Sequence, residues 1–195
     1  MTKTLEVYLS LGSPFSYFAQ TQLSGLVQRT KCNIIYHVID MYKIFQMTGN
    51  PGPNDIPAKR NYLIKDIGDW CKYYNIPFNV PSRLFINNAA PAAAAIAVEK
   101  YGKLAEFIDR AFRAYLVEDL NIEDFQVLGK LAAEVGADGE AVAAAVTDSA
   151  VLKQVDIKNE AASKRGVFGV PTFFIGDDMY WGNDRLMFVE KALIS

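Results

Sequence analysis

Ser13-Pro14-Phe15-Ser16 stands between two different apolar patterns. Before it, Leu5-Glu6-Val7-Tyr8-Leu9 places an aliphatic residue at every second position, which is the period of a strand, and the run closes at Gly12. After it, Phe15, Ala19, Leu23 and Val27 lie four apart and keep one helical face. The spacing predicts strand, short turn, helix, with Ser13 as N-cap and Pro14 at the first helical position, where a missing N–H costs nothing. A helix N-terminus offers free N–H groups and about half a positive charge, so an anion docked there, a thiolate included, is stabilised. A serine hydroxyl at that point can donate to the anion. The plainer alternative is that Ser-Pro only starts a helix.

Working outward, Lys3 to Leu9 reads as the first strand, Pro14 to Gln28 as the first helix, and the β-branched run Asn33 to Ile39 as the second strand. That is a βαβ unit with a parallel pair and a right-handed crossover. His37 lies within the second strand and is read as a packed residue, because no nucleophile sits beside it. At the other end, Val167 to Ile175 reads as a strand entered through Val170-Pro171. Gly176-Asp177-Asp178 is a hairpin turn, and Met179-Tyr180-Trp181 is a short return strand. Gly182-Asn183-Asp184-Arg185 then opens a last helix, Leu186 to Leu193, with Asn183 as its expected cap.

Between these ends the pattern is helical. Met41 to Ala58 is expected to be a long loop, since Pro51, Pro53 and Pro57 and two glycines interrupt it. Helical spacing follows over Lys59–Tyr74, Ala89–Tyr101, Leu104–Val117, Asn121–Val135, Asp138–Thr147 and Ser149–Lys164, with Gly166 placed to end the last. Lys59 and Arg60 put cations in a first helical turn, against the dipole; either an anion meets them or they form a solvated face. The expected organisation is a domain of residues 1–40 and 166–195, with residues 41–165 forming a linker loop and an inserted helical domain. The last inserted helix packs back on the sheet.

Composition narrows the function classes. The 195 residues are 51% hydrophobic with a net charge of −2, which suits a packed globular chain and not a nucleic-acid binder. The longest small-apolar stretch, Ala89 to Val98, contains Pro91 and falls short of the ~18 residues of a membrane span. Met1-Thr2-Lys3-Thr4 leads straight into a strand with no visible signal peptide, so a cytoplasmic location is expected. Cys32 and Cys71, without CxxC spacing, read as free thiols in a reducing compartment, and one histidine argues against a zinc site.

A βαβ unit, a helical block and a ββα unit entered through X-Pro resemble the thioredoxin fold. The expected class is therefore α/β, a thioredoxin-like fold (βαβ … ββα) interrupted by a large all-helical insertion. Ser13-Pro14-Phe15-Ser16 occupies the place of the CPxC motif of bacterial disulfide-forming enzymes, with serine for both cysteines. Val167-Phe168-Gly169-Val170-Pro171-Thr172 resembles the cis-proline signature of that branch. Trp181-Gly182-Asn183-Asp184-Arg185-Leu186 is similar to a motif of 2-hydroxychromene-2-carboxylate isomerases and their relatives, the kappa-class glutathione transferases.

The resemblance implies that glutathione is the cofactor, its sulfur resting against Ser13, which would be the catalytic residue. It implies that the cysteinyl backbone pairs with the main chain of Val170 beside a cis Pro171. The γ-glutamyl group would lie near Asn183 and Asp184, with Trp181 and Arg185 in the same binding set, and the glycyl carboxylate near Asn50 and Lys59. The implied activity is reversible conversion of a 2-hydroxychromene-2-carboxylate to an open-chain benzylidenepyruvate, by transient thiolate addition to a conjugated double bond that then rotates. A small aromatic carboxylate would meet Phe15, Tyr17 and Phe85, with Arg83, Arg60 or Lys59 for its charge. A homodimer is also implied. The alternatives are a kappa-like transferase, in which glutathione stays on the product, and a non-catalytic thioredoxin-like module that holds peptides at the Pro171 edge.

Overall fold

The computed structural model describes residues 2–195, Asn54 by its backbone alone. β1 (Thr4–Leu9), α1 (Pro14–Thr30) and β2 (Asn33–Val38) form the βαβ unit, the strands parallel from Thr4 opposite Asn33 to Leu9 opposite Val38. α1 stops at Lys31, whose left-handed φ of 58° turns its N–H back to the Val27 carbonyl. β3 (Thr172–Ile175) runs antiparallel along the other side of β1, and β4 (Asp178–Trp181) returns beside it, giving the order β2-β1-β3-β4. α9 (Leu186–Ile194) closes the described chain. Between β2 and β3 come α2 (Met41–Thr48), α3 (Pro57–Tyr74), α4 (Ala89–Glu99), α5 (Leu104–Leu116), α6 (Phe125–Glu134), α7 (Gly139–Val146) and α8 (Ser149–Lys164). Among the described residues, no helix is long and apolar enough to cross a membrane.

The alternation in β1 sorts its residues onto two faces. Leu5, Val7 and Leu9, with Phe173 beside them, bury against Phe18, Leu23 and Leu26 of α1 and Val189 and Leu193 of α9. That core runs on without a break into Ala92–Ala95 and Val98 of α4 and Phe107, Ile108 and Phe112 of α5. The sheet and the helical block thus share one apolar interior. Each wholly buried phenylalanine is worth about 1.5–3 kcal/mol relative to exposure, and the alanines let α4 press its backbone into the centre. On the other face Tyr8 and Phe174 lie under Met41 and Ile44 of α2 and Ala162 of α8.

Three local expectations are corrected. The stretch from Met41 is a helix and not part of a long loop: Asp40 Oδ1 accepts from the N–H groups of Tyr42 and Lys43, Ile44 is buried, and the helix ends at Gly49 (φ 67°) before the first proline. β3 begins at Thr172 and not at Val167, because Thr172 Oγ1 donates to the Gly169 carbonyl (2.7 Å) and folds the preceding residues into a turn. Asn183 does not cap the last helix; it opens a single 3₁₀ turn, Asn183–Arg185, and α9 starts after Arg185 with no side-chain cap.

Candidate active site

The start of α1 is tightly specified. Ser13 is extended (φ −102°, ψ 117°), its Oγ accepts from Ser16 N–H at 3.2 Å, and Pro14 follows as the first helical residue. Its own N–H donates to the Ser10 carbonyl at 3.0 Å. Ser16, where a redox relative would carry its second sulfur, has an Oγ 3.4 Å from Ser10 N–H. Among the described residues the Ser13 hydroxyl proton finds no acceptor. The group is therefore held as an acceptor on one side and remains a donor on the other. Ser13 is buried with 3% of its surface exposed, which keeps the dielectric around that donor low.

The register supplies the second wall. Tyr8 lies opposite Thr172, the last paired position at this end of β1 and β3. The turn carrying Ser13 and the loop before β3 thus emerge at the same end of the sheet. The Val170–Pro171 bond is cis. Among the described residues neither backbone group of Val170 takes part in a hydrogen bond, while the Pro171 carbonyl accepts from Gly182 N–H at 2.9 Å. Asn50 Nδ2 donates to the Phe168 carbonyl (2.9 Å) and ties the loop after α2 to this segment. Trp181 packs edge-on to Phe168, ring centres 4.8 Å apart, and covers Gly169, where an added Cβ would sit 2.7 Å from the indole Nε1.

The third wall is the turn before α9. Gly182 has φ 105°, a conformation that L side chains rarely adopt, and a Cβ there would overlap the Asp184 carboxylate. Asp184 pairs with Arg185 Nη1. Asn183 is 4% exposed, and its buried Nδ2 has no hydrogen-bond partner among the described residues. Tyr74 is a polar group beside it: burial pushes that phenol up, and the Asn183 side chain offsets part of the rise.

The remaining expected residues separate into two groups. Phe15 is half-buried and edge-on to Phe18 (5.8 Å). Tyr17 is 7% exposed, with its hydroxyl donating to the Pro77 carbonyl at 2.9 Å and its ring against Phe18 and Phe112, so it is a core residue and presents no free polar tip. Burial pushes its phenol pKa up. Lys59 and Arg60 are exposed in the first turn of α3. Phe85 is exposed; Arg83 is exposed too, its Nη1 3.9 Å from Glu123 Oε2.

Both cysteines are free, Cys32 buried and Cys71 half-buried, and burial pushes the Cys71 thiol up. No thiol of the chain is built into the site.

Residues 4–194 match the DSBA-like thioredoxin domain family. The chain is 34% identical to the 2-hydroxychromene-2-carboxylate isomerase of Pseudomonas putida, covering 97% of this chain and 93% of the relative. It is 32% identical to the enzyme of the same name from Sphingobium xenophagum over the whole of both chains. The chain belongs to the 2-hydroxychromene-2-carboxylate isomerase family of DsbA-like thioredoxin proteins. A solved 2-hydroxychromene-2-carboxylate isomerase superposes with a TM-score of 0.88 at 31% identity, over 97% of this chain and 94% of that one.

In this isomerase-family chain the helix start carries Ser13 and Ser16, and without sulfur at these positions dithiol exchange cannot run there. One contributor escaped sequence reasoning. Asn88 Oδ1 accepts from Ser10 Oγ (2.8 Å) and from Gly12 N–H (3.1 Å), pinning the turn that carries Ser13. In sequence, Asn87-Asn88 before an alanine run reads only as a helix cap; its partners lie 76 and 78 positions away.

Proposed function

We propose that this chain is a glutathione-dependent isomerase that interconverts 2-hydroxychromene-2-carboxylate and trans-o-hydroxybenzylidenepyruvate in the breakdown of aromatic compounds. The observation that carries the reading is Ser13: a hydroxyl fixed by Ser16 N–H at the head of α1, its proton uncommitted, in a site with no sulfur of its own. The features around it suit the tripeptide. The Val170 backbone is open to strand-like pairing, and the buried Asn183 amide and the carboxylate of Asp184 suit an amino-acid end. Bound glutathione would supply a nucleophilic thiolate that adds reversibly to the substrate's conjugated double bond and so permits its rotation.

In this reading the chain's own groups prepare the sulfur and hold the substrate. Ser13 donates its hydroxyl to the sulfur, and the N–H groups and dipole of α1 add positive potential, so the ionised form is favoured at neutral pH. Asn50 keeps the loop before Pro171 in place. Phe15 offers an aromatic face, and Arg60, Arg83 or Lys59 offers charge for the substrate carboxylate. The test is a spectrophotometric assay of chromene acid isomerisation with and without glutathione. Turnover that requires glutathione and leaves its concentration unchanged supports the reading. Stoichiometric loss of glutathione assigns a transferase, and no glutathione dependence rejects the cofactor.

A further inference from the structure

Asn88 occupies the N-cap position of α4, where its side chain would ordinarily serve its own helix. It does not. The Ala89 N–H is taken instead by Asn87 Oδ1 at 3.0 Å, and the Asn88 side chain turns away from α4. Its Oδ1 accepts from Ser10 Oγ (2.8 Å) and Gly12 N–H (3.1 Å), while its Nδ2 donates to the Ile86 carbonyl (3.2 Å). Asn88 is 2% exposed and Ser10 is fully buried, so these bonds lie in a low-dielectric interior where water does not compete. The platform behind them is rigid, because Ala92 to Ala95 lock α4 into the centre of the core. Gly12 is shaped to the contact: a Cβ there would overlap Asn88 Oδ1.

The chain of bonds runs from α4 to the site. Asn88 holds Ser10 and Gly12; the Ser10 carbonyl accepts from Ser13 N–H at 3.0 Å, and Ser10 N–H reaches Ser16 Oγ. We infer that Asn88 is a positioning residue, which fixes the Ser10–Gly12 turn and thereby aims the α1 N-terminus and the Ser13 side chain at the sulfur. This rests on the function proposed above for Ser13. A site whose donors must lie within about 0.5 Å of their productive places needs such support from a rigid element.

A reporter that needs no tripeptide makes the test. Ser13→Cys places a thiol at the helix start, and its ionisation is followed by ultraviolet absorbance against pH. Its pKa is expected below the ordinary ~8.5 of cysteine. Adding Asn88→Ala is expected to raise it by about one unit, a tenfold loss of thiolate in the titrating range. Adding Ser10→Ala, which removes one donor to Asn88 and leaves the asparagine in place, moves it the same way by less. Gly12→Ala, which pushes Asn88 aside, raises it too, and Gly12→Ala with Asn88→Ala is less than additive, because the methyl no longer meets Oδ1.

In the otherwise unaltered chain, Asn88→Ala lowers kcat/KM about tenfold at neutral pH, with recovery as pH rises. If Asn88→Ala does not fold, Ser10→Ala and Gly12→Ala carry the test. A folded Asn88→Ala or Gly12→Ala protein with an unmoved thiol overturns the inference, as does an ordinary thiol pKa in Ser13→Cys alone. Absence of glutathione-dependent turnover fails the proposed function, and the thiol readout still decides the role of Asn88 in shaping the turn.

Discussion

Asn50 donates through Nδ2 to the carbonyl of Phe168 at 2.9 Å, so the loop after α2 is tied to the segment that precedes Pro171. The two residues are 118 positions apart and come from opposite ends of the helical block. The bond closes one side of the site before any ligand arrives. A residue expected to touch the tripeptide's glycyl end is thus, in the protein by itself, a clamp on the wall that faces Ser13.

Asn50→Ala removes that clamp. The cost in stability is about 1 kcal/mol, the ordinary net worth of one such bond. The larger effect is on binding: the KM for glutathione is expected to rise about tenfold while kcat stays within about twofold, the pattern of lost uniform binding. Steady-state kinetics over a range of glutathione concentrations decide it. A fall in kcat with unchanged KM would place Asn50 in the chemistry instead.

Ser13 caps α1 and, in the proposed reaction, also donates to the sulfur; substitutions separate the two. Ser13→Ala removes both the cap on Ser16 N–H and the donor, so stability falls by about 1 kcal/mol and turnover by about 10²-fold or more. Ser13→Gly costs the helix only a few tenths of a kcal/mol and is expected to lose as much turnover. Chemical denaturation beside the isomerisation assay reads both. Turnover close to that of the unaltered protein in Ser13→Gly removes the hydroxyl from the mechanism.

His37 and Glu6 make acid costly to the outer face of the sheet, against Asp40 and Asp109, whose carboxyls burial pushes up. His37 Nε2 lies 3.0 Å from Glu6 Oε2 and its ring stacks on Tyr8 at 4.3 Å. Burial holds its pKa below the usual 6.5, and the bond to Glu6 offsets only part of that. Glu6 is held below the usual carboxylate range, chiefly by the Arg165 guanidinium 2.5 Å away. Both folded values are depressed, so their stabilisation is fully present above pH ~6.5. It is lost as pH falls, first through the folded value of His37 and then through that of Glu6. The chain has one histidine, so its ring-proton NMR signal needs no assignment. The expected titration midpoint lies below 6.5, and thermal unfolding should come at a lower temperature near pH ~5 than near pH ~7. A midpoint at or above the usual value sinks this account.

Gly129 and Gly139 mark the closest approach of α6 and α7. A Cβ on either would lie 2.5 Å from the backbone oxygen of the other, and backbone cannot swing aside as a side chain can. Gly129→Ala and Gly139→Ala should each destabilise by about 1–3 kcal/mol, despite alanine's better helix propensity. Activity per folded molecule should hold, since the atoms a Cβ would meet there belong to α6 and α7 and not to the Ser13 turn. Thermal melts with an activity measurement well below the transition test this. A stabilised Gly139→Ala protein would show that the helices slide apart at no cost.

Much of this protein was set by local chemistry that a sequence displays. The alternation in Leu5 to Leu9, the Ser13-Pro14 helix start, the β-branched second strand and the Gly176-Asp177-Asp178 turn each act over a few residues, so the strand–helix–strand ends and the helical middle could be read directly. Local rules also misled. The prolines after Gly49 masked the helix over Met41–Thr48, because burial of Ile44 against Ala162 and Phe174 is a tertiary effect that no spacing announces.

What the tertiary structure alone decided is the joinery of the site: Asn88 on the Ser10–Gly12 turn, Asn50 on Phe168, Arg165 on Glu6, and the burial of the Asn183 side chain. Each joins residues far apart in the chain or depends on what such residues bury. Their worth comes from burial and mutual geometry, which exist only after the sheet and the helical block have closed on their common core. The residue types were visible in the sequence; their partners were not, because long-range hydrogen bonds leave no periodicity behind.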